Sequence, residues 1–124
     1  ENELDFYSIK NIEQLEENIK NAITIDKPVM LELTADWCVT CKEIERYTFS
    51  NEEIIKKSQE VMLLQIDITD NTDSDRELLK YLNSFGPPTI LFYNKNGEEA
   101  GDLRTVGFIS KDQLMQRLNY LTET

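Results

Sequence analysis

The stretch Val29-Met30-Leu31-Glu32-Leu33-Thr34 constrains this chain more than any other. Its near-continuous apolar character is the mark of a strand covered on both faces. Residues 61–68 and 89–93 read as two further buried strands, so helices are needed to cover them. The sequence supplies these. Ile12, Leu15, Ile19, Ala22 and Ile23 recur with a period near 3.6 and predict an amphipathic helix over 11–25, ended by Asp26-Lys27-Pro28. Residues from Cys38 to about 47 favour helix, and Ser50-Asn51-Glu52-Glu53 caps another that runs to about 58. Leu78, Leu79, Leu82 and Phe85 fall at helical spacing before Gly86-Pro87-Pro88 stops the helix.

Asn94-Lys95-Asn96-Gly97 is a turn signal, and a fourth strand over about 103–108 stands at hairpin distance from the third. Ser110 caps a terminal helix with Leu114, Leu118 and Leu121 on its inner face. The order α-β-α-α-β-α-β-β-α predicts parallel β-α-β units followed by an antiparallel hairpin, with helices on both faces of one sheet. At 124 residues the chain is one domain, 1–124, with 1–27 as an N-terminal extension and helix and 28–124 as the core.

Composition narrows the partners. The 13 Lys+Arg against 24 Asp+Glu leave a formal charge of −11, which argues against nucleic acid and anionic lipid, both of which demand a basic surface. The longest apolar runs, such as Val61-Met62-Leu63-Leu64, fall far short of the roughly 20 residues that cross a bilayer. Glu1-Asn2-Glu3-Leu4-Asp5 has neither the basic start nor the apolar core of a secretory signal, so targeting does not reveal the compartment. With no histidine, Cys–His nucleophilic pairs and His-bearing zinc sets are excluded, and two cysteines do not make a structural zinc site. No metal and no bound cofactor are expected.

Both cysteines stand in Trp37-Cys38-Val39-Thr40-Cys41-Lys42, directly after the first buried strand. A C-x-x-C pair at a strand-to-helix junction is the pattern of a redox dithiol. Cys38, at the helix start, meets free backbone N–H groups and the positive end of the helix dipole, which favour a thiolate; it is the candidate nucleophile. Cys41, one turn further in, is the candidate resolving thiol. A disulfide serving only as a staple is the plainer alternative, but so short a loop constrains the unfolded chain little.

The element order, with C-x-x-C after the first central strand and Pro88-Thr89 opening the third, resembles a thioredoxin fold: a mixed four- to five-stranded sheet flanked by helices on both faces. Residues 35–43, Ala-Asp-Trp-Cys-Val-Thr-Cys-Lys-Glu, followed by Tyr47-Thr48-Phe49-Ser50 and Pro88-Thr89-Ile90-Leu91-Phe92, resemble the C-terminal periplasmic domain of the DsbD family of thiol:disulfide interchange proteins. The similarity runs from about Pro28 to the terminal helix. It implies a protein-disulfide reductase domain of an inner-membrane protein, facing the periplasm. Such a domain relays two electrons from the membrane domain to the N-terminal periplasmic domain of the same protein, through transient mixed disulfides. The redox-active Cys38–Cys41 pair would be its only redox group, and cytochrome c biogenesis is among the processes such relays serve.

The resemblance also gives roles to neighbours. Glu32, an odd residue in an apolar strand, stands where thioredoxin-like proteins commonly hold a buried acid and would take a proton from Cys41; an exposed edge position is the alternative. Glu45, four residues after Cys41 and seven after Cys38, falls by helical spacing on the face of both sulfurs, where the family also carries an acid. Both carboxylates would oppose the helix dipole and raise the thiol pKa, so Cys38 is expected not to be strongly acidic. Pro88 is expected in cis, facing the dithiol. Pro87, Pro88, Thr89 and Trp37 form the expected partner-binding rim, with the proviso that Pro87 has no N–H to offer a docked segment. Asp36 and Lys42 flank the motif and are expected to tune the field around it, and Tyr47 and Phe49 read as core. The other readings are a free-standing thioredoxin-like or cytochrome-maturation reductase, a binding or chaperone module with silent cysteines, and a disulfide-forming oxidase.

Overall fold

The computed structural model describes residues 3–124. Its strands are β1 (Tyr7–Ser8), β2 (Val29–Thr34), β3 (Met62–Asp67), β4 (Thr89–Tyr93) and β5 (Thr105–Val106); its helices are α1 (Ile12–Thr24), α2 (Val39–Ile44), α3 (Glu52–Ser58), α4 (Asp73–Tyr81) and α5 (Lys111–Glu123). The strands make one mixed sheet in the order β1-β3-β2-β4-β5. β1, β3 and β2 run parallel, while β4 is antiparallel to β2 and β5 to β4. This is the expected thioredoxin fold.

Period-two alternation along β2 divides the interior. Val29, Leu31 and Leu33 pack with Leu15 and Ala22 of α1 and Leu78 of α4, whereas Met30 packs on the opposite face with Ile44, Ile54, Leu114, Leu118 and Leu121. Each fully buried Leu, Ile or Phe of these layers stabilises the fold by roughly 1.5–3 kcal/mol relative to exposure. Helix starts follow side-chain chemistry. Asn11 Oδ1 accepts from Gln14 N–H at 2.8 Å, Asn51 caps α3, and Thr72 with Asp75 and Ser110 with Gln113 close reciprocal capping boxes.

Two expected elements differ from the structure, and one strand was not expected. Phe85 does not extend the face of Leu78, Leu79 and Leu82, because α4 stops at Tyr81. Asn83 takes a left-handed φ of 53°, and the N–H groups of Asn83 and Ser84 return to Lys80 and Leu79 carbonyls, a Schellman ending that turns Phe85 fully outward. The strand expected over 103–108 shrinks to Thr105–Val106, since Leu103 belongs to a 3₁₀ turn and Gly107 turns away with φ 93°. The short β1 has no apolar run to announce it, both of its residues being exposed. The turn at Asn94–Gly97 forms as expected. A Cβ on Gly97 would come within 2.6 Å of Ile23 Cδ1, so glycine lets this turn lie against α1.

Candidate functional site

Register brings the site together at one end of the sheet. Antiparallel pairing sets Leu33 opposite Thr89 and Thr89 opposite Val106. The chain leaving β2 through Ala35-Asp36-Trp37 therefore meets the loop entering β4 at Pro87-Pro88 and the chain leaving β5 at Gly107. Gly107 N–H donates to the Pro88 carbonyl at 3.0 Å, and the Pro87-Pro88 peptide bond is cis. The end of β3 joins from the other side: Ile68 N–H donates to Thr34 O at 2.9 Å, Asp36 N–H to Thr69 Oγ1 at 2.8 Å, and the Trp37 indole N–H to Thr69 O at 3.2 Å.

Cys38 is the N-cap of α2 and is disulfide-bonded to Cys41. The sulfurs are unequal. Cys38 keeps 8% of its surface exposed and Cys41 none. Cys41 N–H donates to Cys38 Sγ at 3.1 Å, the kind of backbone donor that stabilises negative charge on a sulfur. Exposed apolar side chains stand on the segments that meet at this end of the sheet: Trp37 at 59% exposure and Val39 on either side of Cys38 in sequence, Phe85 on the loop before the cis peptide bond, and Val106 and Phe108 flanking Gly107.

Glu32 occupies a central strand and is 1% exposed, so the edge-position alternative fails. Burial pushes its pKa from 4.5 to about 7, against a Gln65 hydrogen bond that lowers it; Glu45 and Asp67 add repulsion and Lys42 a smaller attraction. Lys42 and Glu45, the charges on the helical segment that act on this carboxyl, follow Cys41 by one and four residues. Oε1 of Glu32 accepts from Gln65 Nε2 at 2.9 Å, and Oε2 is buried without a partner.

After Ile44 the helix widens into a π turn over Glu45–Phe49. The wider turn takes about one residue more to come round, which brings Thr48 and Phe49 inward and leaves Tyr47 and Glu45 outside. Tyr47 is thus not core, whereas Phe49 is. Glu45 stands with Glu32 on the lining of an open cavity of about 510 Å³, where its charge acts on that carboxyl. Thr89 is buried, and its hydroxyl donates to the Gly86 carbonyl at 2.6 Å, so this side chain closes the loop and has no free surface for a partner. Pro87 and Pro88 are half-buried. Asp36 and Lys42 approach to 3.9 Å in solvent, a pair of little energetic weight.

Two residues of the site escaped the sequence reading. Gln65 is a polar interruption of a buried strand, legible only once register sets it opposite Glu32. Thr69 follows the buried strand expected over 61–68 and carries no signal in the sequence that sets it apart.

Among the described residues no cluster of three or more His, Cys, Asp or Glu could hold a metal, and no helix is long and apolar enough to cross a membrane. What the arrangement carries is a redox-active disulfide, with one cysteine slightly accessible and one fully buried, and an acid whose pKa burial raises to about 7.

Comparison with known proteins agrees with this chemistry. The thiol:disulfide interchange protein DsbD of Actinobacillus pleuropneumoniae serotype 5b is 40% identical over 120 residues, covering 97% of this chain and 20% of that protein. DsbD of Escherichia coli strain K12 is 43% identical over 115 residues, covering 93% of this chain and 20% of that protein. The chain therefore spans about one fifth of the length of these curated relatives. The crystal structure of the oxidised C-terminal domain of Neisseria meningitidis DsbD is 28% identical, covers 93% of this chain and 99% of that one, and superposes with a TM-score of 0.77. These matches bear out the resemblance to the DsbD C-terminal domain. A family model described as thioredoxin-like matches residues 10–95, and the chain belongs to that thioredoxin-like family.

Proposed function

We propose that this domain is a thiol–disulfide oxidoreductase that relays two electrons from a membrane-embedded partner domain to the disulfide of another periplasmic protein, as part of an inner-membrane protein of the DsbD kind. The observation that carries this reading is the inequality of the two cysteines: Cys38 keeps a little accessible surface and its sulfur accepts a backbone N–H, while Cys41 is fully buried.

In the reduced domain, the Cys38 thiolate attacks one sulfur of the partner disulfide. The Cys38–partner bond forms, and the partner's second sulfur leaves as a thiolate that takes up a proton. Glu32 then accepts the Cys41 proton, and Cys41 Sγ attacks Cys38 Sγ. The Cys38–Cys41 bond forms, the mixed disulfide breaks, and the partner's first sulfur leaves as a thiolate and is protonated. The partner gains two electrons and two protons; the domain loses two electrons, one proton released to solvent when Cys38 ionises and the other passed from Cys41 through Glu32 to solvent. A membrane-side dithiol restores the starting state by the reverse exchange. Trp37, Pro87 and Pro88 border the surface on which both partners dock, and Pro87 offers them a carbonyl but no N–H.

Trapping tests the relay. A Cys41→Ala domain incubated with the isolated N-terminal periplasmic domain of a DsbD protein, oxidised, is expected to accumulate a Cys38-linked mixed disulfide, and Cys38→Ala to yield none. Absence of any adduct with Cys41→Ala, or equal adducts from both variants, would overturn the reading.

A further inference from the structure

The cavity beside Glu32 lies apart from the disulfide rim. It is lined by Leu4 and Phe6 of the N-terminal segment, Ser50, Glu45 of the π turn, and Gln65 of β3; none of Trp37, Val39, Phe85, Val106 or Phe108 lines it. Phe6 leans on Phe49 with ring centroids 5.7 Å apart, which packs this segment against the π turn beside the cavity. At about 510 Å³ the space far exceeds the roughly 30 Å³ share of one water molecule.

We propose that Gln65 is a positioning residue for the proton step: its amide occupies Oε1 of Glu32, so that Oε2 carries the proton and exchanges it with water through the cavity under Leu4 and Phe6. The proposal rests on the reading of Glu32 as proton acceptor for Cys41. Parallel pairing sets Glu32 opposite Gln65, so their side chains share a face, and Nε2 donates to Oε1 at 2.9 Å. A carboxyl oxygen already accepting such a bond is the poorer seat for a proton. Oε2, buried and without a partner among the described residues, is the better one, and a protonated Oε2 needs an acceptor that only water in the cavity can supply. The charges that face this carboxyl are Glu45 from the π turn, Asp67 from β3 and Lys42 from α2, with Glu3 on the cavity wall. Because none of the rim residues lines the cavity, a docked partner that covers only them leaves the proton route clear.

Carboxyl ¹³C shifts of the glutamates, followed against pH in the oxidised protein, read the Glu32 titration without any partner. Gln65→Met removes the bond at similar volume and is expected to raise the titration midpoint by roughly one pH unit. Phe6→Ala admits solvent to the cavity and is expected to lower it. The opposite signs separate positioning from packing, since a merely loosened structure would lower both. In stopped-flow exchange, the pH dependence of the resolving step is expected to move upward with Gln65→Met by the same amount. Gln65→Asn, whose shortened amide falls short of Oε1, reads the same bond if the Met variant fails to fold. A midpoint unmoved or lowered by loss of the Gln65 amide, or unmoved by Phe6→Ala, would overturn the proposal. Loss of exchange in every partner assay with these NMR shifts intact would instead overturn the proposed function.

Discussion

The backbone N–H of Cys41 is aimed at Cys38 Sγ across 3.1 Å, within a disulfide whose two sulfurs differ in access to solvent. The helix start thus favours charge on the outer sulfur, and the proposed function has ionised Glu32 and Glu45 opposing it. Near neutral pH Glu32 is partly protonated, which weakens that opposition. A pH-dependent exchange rate is the expected result of setting a capped sulfur against a titrating acid.

The access difference predicts unequal alkylation. In Cys41→Ala the Cys38 thiol is expected to react with iodoacetamide at least about ten times faster than the Cys41 thiol in Cys38→Ala, because the buried sulfur waits for local opening. Mass spectrometry of timed, quenched samples measures both rates. Equal rates would mean that Cys41 is not sequestered.

Glu32 predicts a stability that falls as pH rises. Its folded-state pKa of about 7 lies above the ordinary 4.5, so the folded protein holds a proton that the unfolded chain has lost between those values. Below the window the carboxyl is neutral in both states and carries no ionisation cost. Above it the full cost applies, about 3 kcal/mol at roughly 1.4 kcal/mol per unit. Glu32→Gln is therefore expected to gain stability over the wild type from about pH 4 to about pH 8, by up to about 3 kcal/mol, in urea unfolding of the oxidised protein. A difference between the two proteins that does not change with pH would contradict the assignment.

Much of this was legible beforehand because it depends on local chemistry. The run at Val29–Thr34, the cap at Ser110 and the pair Cys38/Cys41 each announce themselves within a few residues, and the structure places all three as read. What escaped depends on register or on the winding of a turn. Gln65 gains its meaning only opposite Glu32 across the β2–β3 ladder. Tyr47 fits a buried position on an α-helix and leaves it when the segment winds as a π turn. Phe85 keeps helical spacing beyond a helix that Asn83 has already ended. The partner-facing role expected of Thr89 yields to loop closure because its hydroxyl finds Gly86 O first.

Arg104 is expected to hold the loop that leads to the cis peptide bond. Its guanidinium reaches both Glu99 oxygens at 2.8 Å and the Asn83 carbonyl at 3.2 Å, tying the β4–β5 connection to the end of α4. Arg104→Met removes these bonds while retaining the apolar stem. A loss of about 1–2 kcal/mol is expected, with faster hydrogen exchange at Gly107 N–H, whose acceptor is Pro88 O. Unchanged exchange at Gly107 would show that the loop holds its place without the tether.

Thr48 fastens the π turn to the segment before α5. It is fully buried, and its hydroxyl donates to Ile109 O at 2.6 Å across 61 residues of sequence. Thr48→Val preserves shape but leaves that carbonyl unsatisfied in the interior, so a loss of about 1–3 kcal/mol is expected in urea unfolding. Thr48→Ser keeps the bond and gives up one methyl group, so its expected loss is smaller, about 1 kcal/mol. The order of the two variants is the diagnostic: if Ser cost more than Val, methyl packing rather than the hydrogen bond would be what fixes the π turn, and with it the outward placement of Glu45 beside Glu32.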